Sequence, residues 1–85
     1  MDDPGYGELK LFAGSSVPAL AREIADALHI QPGRVTLMRF ADDEIYCRYE
    51  ENARGEDTFV VQSTCHPVNE HLMELLIMVD ALRRA

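Results

Sequence analysis

The chain has 85 residues, 15 of them acidic and 8 basic, which gives a net charge of −7. That length allows one small domain at most, and the charge supplies no basic footprint for nucleic acid and is repelled by anionic membranes. No apolar run is long enough to span a bilayer, and the Met-Asp-Asp-Pro start has neither the basic nor the apolar region of a signal peptide.

With 47% hydrophobic and 27% charged residues the chain is too apolar for a disordered tail. Cys47 and Cys65 make no disulfide framework, so free thiols in a reducing cytoplasm are expected. A domain this small buries only about 60–65% of the surface its unfolded chain exposes. Whether its apolar faces find enough partners is therefore the first structural question.

Residues 1–8 are polar and aperiodic and read as a frayed, disordered terminus. Leu9 to Ala13 is a short apolar run that stops at Gly14-Ser15-Ser16, as a strand ending in a turn does. A helix follows, with Ser16 as its expected N-cap and Pro18 in its first turn. Leu20, Ile24, Ala27 and Leu28 recur on one face, and Pro32-Gly33 is the expected stop. Val35–Phe40 and Glu44–Tyr49 are β-rich runs joined by a short acidic loop. Alternation in the second places Ile45, Cys47 and Tyr49 on one face and Tyr46 and Arg48 on the other. Thr58–Gln62 has the unbroken apolar character of a strand buried on both faces.

The last helix, from about Asn69, is apolar on nearly every side, with a narrow polar strip at Glu74 and Asp80. Such a helix needs more cover than one other helix and four strands provide. It also runs to Arg83-Arg84-Ala85 without a Gly, Asn or Pro stop signal. The expectation is a fragment cut within its last helix, or a chain that completes its core with another copy. The order β-α-β-β-β-α argues an α/β fold, part of its sheet parallel and the sheet incomplete.

Three groups of residues could carry chemistry. Asp42, Asp43, Glu44, Glu50, Glu51, Glu56 and Asp57 crowd one stretch against only Arg48 and Arg54. Carboxylates at such a turn can meet hydrated Mg²⁺, a ribose or an exocyclic amine, or can simply be solvated. Phe40 beside them can stack on a base or serve as a core aromatic. Cys65, His66, Glu70 and His71 match no zinc spacing. Ser63-Thr64 sits between a strand and a helix, where backbone amides can bind phosphate, but no glycine-rich phosphate loop is present.

Five stretches, in order and without a large gap, resemble the amino-terminal segment of the ribose-phosphate diphosphokinases (phosphoribosyl pyrophosphate synthetases). They are Lys10–Ser16, Arg39–Ile45, Glu51–Gly55, Gln62–Cys65 and Asn69–Leu75, the last leading into Met78–Ala85. The resemblance implies a partial phosphoribosyltransferase-like (Rossmann-like) domain, with residues 9–85 as its first part. It implies an enzyme that uses Mg²⁺ and transfers the diphosphoryl group of ATP to ribose 5-phosphate. The active unit in that family is a homo-oligomer, commonly a hexamer, in the cytoplasm, with no nucleic-acid or membrane partner.

By the same resemblance Phe40 stacks on adenine, and Asp42, Asp43 and Glu44 form the adenosine-facing turn, reaching a neighbouring subunit's site. Asp43 stands where family members often have glycine, which alters the backbone freedom of that turn. Arg54 resembles an arginine that meets effector phosphates, an ion pair with a local carboxylate being the other reading. The family's catalytic Lys and Arg loop and its metal-binding His and Asp have no match in these residues, so the chain alone is expected to be inactive. A non-catalytic module that self-associates or docks on the full-length enzyme is the alternative.

Overall fold

The computed structural model describes residues 8–42 and 44–84. The expected fraying of residues 1–7 and the role given to Asp43 lie outside the described residues. Glu8 is tied in: its backbone N–H donates to Glu56 Oε1 at 3.2 Å and its carbonyl accepts from Asp57 N at 3.1 Å.

The elements follow the expected order: β1 (Leu9–Ala13), α1 (Pro18–Ala27), β2 (Val35–Arg39), β3 (Ile45–Tyr49), β4 (Asp57–Val61) and α2 (Val68–Arg84). They form a mixed α/β fold with incomplete sheets. β1 and β4 pair in parallel, Leu9 opposite Asp57 and Ala13 opposite Val61. β2 and β3 pair antiparallel, Val35 opposite Tyr49 and Arg39 opposite Ile45. The burial of β3 alternates as its sequence does, with Ile45, Cys47 and Tyr49 turned inward.

The core is centred on β1. Leu11 and Phe12 point to opposite faces of the strand, and both are buried. One face is covered by α1, which brings up the small side chains of Ala21 and Ala25. On the other face Phe12, 0% exposed, meets the edge of Tyr49 with ring centroids 4.6 Å apart. The Tyr49 hydroxyl donates to the carbonyl of Met78 at 2.7 Å, which fastens the hairpin to α2. Burial pushes the phenol well above its ordinary pKa. Gly33 passes close over this cluster, its N–H donating to Leu11 O at 2.7 Å. A Cβ there would lie 2.6 Å from the Phe12 ring and 2.9 Å from the Leu11 carbonyl, so only glycine fits.

Four local expectations are corrected. Val17, not Ser16, occupies the cap position of α1, and no side chain caps it; Ser16 is drawn away by bonds across to Gln62 and Ser63. The helix stops at Ala27, before Pro32-Gly33, because His29 adopts a left-handed conformation with φ 59°. Ile30 N–H then reaches Ala25 O at 3.0 Å and His29 N–H reaches Asp26 O at 3.1 Å, the paired bonds of a Schellman cap.

Ala21 and Ala25 rather than Leu20 and Leu28 form the buried stripe of α1, because a two-stranded pair covers only the centre of the helix. Finally, β4 is not buried on both faces. Phe59 is 57% exposed, since β1 is the only strand beside β4 among the described residues.

Helix α2 lies against β3 and β4 with an unexpected side inward. Glu74, one of the two residues of the narrow polar strip, is buried together with Met78, while Leu72, Met73, Leu76 and Val79 are exposed. No helix among the described residues is long and apolar enough to cross a membrane.

Candidate functional site

Residues 40–44 close the β2–β3 hairpin. Phe40 N–H donates to Glu44 O at 2.8 Å and Glu44 N–H donates to Asp42 Oδ1 at 3.2 Å, so the Asp42 side chain braces the turn from within. Those bonds from Glu44, its backbone N–H first, hold the Asp42 carboxyl below the ordinary aspartate range. The carboxylate is therefore an ionised acceptor at neutral pH. Phe40 is 47% exposed, backed by Tyr46 with ring centroids 5.9 Å apart. Asp42 and Glu44 are exposed beside it. An aromatic face next to two carboxylates can stack on a flat heterocycle and accept hydrogen bonds from amine or hydroxyl groups. The structure thus gathers Phe40, Asp42 and Glu44 on one turn.

Arg54 is not brought to them. It follows β3, beyond the strand end opposite to the 40–44 loop. Its N–H is held by Asn52 Oδ1 at 3.0 Å, and its side chain makes no ion pair among the described residues. The same connection is anchored by Glu51, which accepts from Lys10 Nζ at 2.7 Å and from Arg34 N–H at 2.9 Å.

These bonds, that of Lys10 foremost, lower the Glu51 pKa, and the Glu51 bond raises that of Lys10. The stabilisation from Glu51 is therefore present above the ordinary glutamate range and disappears as pH falls through its depressed value; that from Lys10 is present below the ordinary lysine range and disappears as pH rises through its raised value. Thermal melts are expected to lose stability on acidification in the wild type, and less steeply in Glu51→Gln. Equal acid slopes in the two chains would show that the contact does not couple to folding.

A second polar cluster was not identified as a site from sequence. Glu74 is 8% exposed and accepts from Ser15 N–H at 2.6 Å, Ser15 Oγ at 2.9 Å and Gln62 Nε2 at 2.8 Å. Gln62 also donates to His71 O at 3.2 Å, and its Oε1 lies 2.5 Å from Ser16 Oγ. Ser63 N–H donates to Ser16 Oγ at 3.0 Å. That amide is thus already engaged and is not free to bind phosphate. The cluster sits where β1 and β4 both end, the side of a parallel pair at which α/β folds place ligands. Its one sequence signal was a lone Glu in an otherwise apolar helical stretch.

His71 Nδ1 lies 2.7 Å from Cys65 O and 3.8 Å from Cys65 Sγ. Among the described residues no group of three or more His, Cys, Asp or Glu side chains gathers in one place. The features are those of an α/β segment with a parallel strand pair and a projecting antiparallel arm.

Comparison with known proteins agrees. Residues 9–85 match the family model of the N-terminal domain of ribose phosphate pyrophosphokinase. Ribose-phosphate pyrophosphokinase of Vibrio cholerae is 53% identical over 78 residues, 92% of this chain and 25% of the relative. That of Brucella melitensis is 56% identical over 77 residues, 91% of this chain and 25% of the relative. The crystal structure of phosphoribosylpyrophosphate synthetase from Mycobacterium smegmatis superposes with a TM-score of 0.87 at 47% identity, covering 91% of this chain and 26% of that one. The chain belongs to the ribose phosphate pyrophosphokinase family, as an N-terminal domain segment. It spans about a quarter of the length of the relatives it matches.

Proposed function

We propose that residues 9–85 are the first part of the N-terminal phosphoribosyltransferase-like domain of a ribose-phosphate diphosphokinase, and that the hairpin tip is its adenosine-facing element. In the reaction the 1-hydroxyl oxygen of ribose 5-phosphate attacks the β-phosphorus of ATP. The bond between the α,β-bridging oxygen and that phosphorus breaks, AMP leaves, and the hydroxyl proton is released. This chain supplies recognition: Phe40 stacks on adenine, and Asp42 and Glu44, with Asp43 in the same turn, accept hydrogen bonds from the nucleoside. The observation that carries the reading is the braced turn that presents an exposed aromatic ring beside the Asp42 and Glu44 carboxyl groups. Mg²⁺ accompanies the nucleotide phosphates. Arg54, its side chain unpaired among them, is the residue assigned to effector phosphate. The enzyme is assigned as a cytoplasmic homo-oligomer, in which the tip completes a neighbour's ATP site.

The test grafts residues 9–85 in place of the matching segment of the Vibrio cholerae relative. The chimera is expected to release AMP from ATP in the presence of ribose 5-phosphate, and the 85-residue chain alone to show no turnover. Phe40→Ala in the chimera is expected to raise KM for ATP about tenfold, since stacking on one base contributes about 1–3 kcal/mol. An unchanged KM for ATP would remove the adenosine role.

A second reading, an assembly module without catalysis, is favoured by the exposed Leu72, Met73, Leu76 and Val79 of α2. A monodisperse monomer by light scattering would count against it.

A further inference from the structure

The hairpin tip projects from the core, and Met38, Arg39 and Phe40 are all exposed. The base of the hairpin is fixed by the Tyr49–Met78 bond, at the end away from the loop. At the loop end Arg39, the residue before Phe40, pairs with Glu70 in the first turn of α2. Among the described residues this is the one ion pair between the hairpin and that helix. Glu70 is itself on firm ground: four residues along the same helical face, Glu74 is locked to Ser15 and Gln62. The chain of contacts thus runs from the buried cluster at the ends of β1 and β4, along one face of α2, to the residue beside Phe40.

Arg39, Glu44 and Glu70 line one groove of about 440 Å³, with Ile45, Met73 and Ile77 as its apolar wall. With Arg39 engaged by Glu70, Glu44 has no ion-pair partner among the described residues. Without Glu70, Arg39 is released from α2, and the tip loses its tether to the helix.

We infer that Glu70 and Arg39 are a positioning pair: they hold the hairpin tip against α2, and so set the affinity for the adenine nucleotide. The inference rests on the adenosine-facing reading of the tip. Neither residue needs to touch nucleotide for this. With side chains 40% and 40% exposed the pair is too wet to matter much to global stability, and its effect is local.

Glu70→Gln in the chimera is expected to raise KM for ATP about three- to fivefold, the range of a half-exposed ion pair, with kcat and KM for ribose 5-phosphate unchanged. Arg39→Gln, which breaks the pair from the other side, is expected to do the same, and the swap Arg39→Glu/Glu70→Arg to return KM to within about twofold. On the 85-residue chain, amide exchange at Phe40 is expected to quicken in Glu70→Gln and to recover in the swap. Unchanged KM for ATP in both single variants, where Phe40→Ala raises it, overturns the inference and leaves the adenosine reading standing. Unchanged KM in Phe40→Ala removes that reading. The exchange rate then decides alone whether the pair holds the tip, and an unaltered rate overturns it. A swap that fails to recover either readout when the singles have lost it also overturns the pair.

Discussion

Phe12→Ala is expected to abolish the cooperative thermal unfolding transition of this chain. The ring is fully buried, stacked edge-on against Tyr49 and passed by the Gly33 backbone, so nothing flexible can collapse into the space it leaves. A phenylalanine-to-alanine change in such a position costs about 3–5 kcal/mol. A domain of this length has about 4–13 kcal/mol in total, at roughly 0.05–0.15 kcal/mol per residue. The loss thus takes a large share of the whole, and in a thin core it takes most. Circular dichroism against temperature checks it. At about 4–8 °C per kcal/mol for a domain of this size, a fall in Tm of less than about 10 °C would show that the core is not centred on β1.

Glu74→Ala is the second large effect, of about 3 kcal/mol. It removes the acceptor for the Ser15 backbone and hydroxyl and for the Gln62 amide at once. Hydrogen bonds to a charged group contribute about 1.5–3 kcal/mol each, and a half-buried donor left without a partner adds its desolvation cost. Ser15 is exposed and can turn to water, which keeps the total below the sum. Urea unfolding measures the loss, and a double-mutant cycle with Gln62→Ala is expected to return a coupling of about 1–2 kcal/mol. A loss under about 1 kcal/mol, or additive single variants, would mean that the cluster is solvated rather than clamped.

Elements that rest on local patterns were legible in the sequence. The five residues of β1, the inward alternation of Ile45, Cys47 and Tyr49, and Pro18 at the head of α1 follow from side-chain period and backbone chemistry. What could not be read were choices made by distant partners. Ser16 has the composition of an N-cap, but Gln62, 46 residues away, takes its hydroxyl. His29 supplies the left-handed residue where glycine is the usual signal, so the end of α1 carried no mark.

Glu74 misled for a physical reason. A lone carboxylate in an apolar helix belongs on the wet side only if the surface facing it is apolar, and here that surface is a turn full of donors. Of the candidate site, Phe40, Asp42 and Glu44 were singled out in the sequence through the family resemblance, and the structure gathers them on one turn. The tether of that turn to Glu70 was not legible, because Arg39 and Glu70 are far apart in sequence and each looks like an ordinary surface charge.

The outer face of α2, with Leu76 54% exposed, has the character of a core surface rather than a solvent surface. The parallel pairing of β1 with β4 has a different consequence, in time rather than in space. The hairpin closes over a short loop, an event of about 1–10 μs. β1 must instead find a strand across a far longer stretch, since Glu8 and Glu56 at its edge are 48 residues apart. Closing a long loop is entropically dearer and slower. The arm that presents Phe40 can therefore take its shape before the strand that buries Phe12 has met its partner. In the order of assembly, the local hairpin can form ahead of the long-range pairing that supports it.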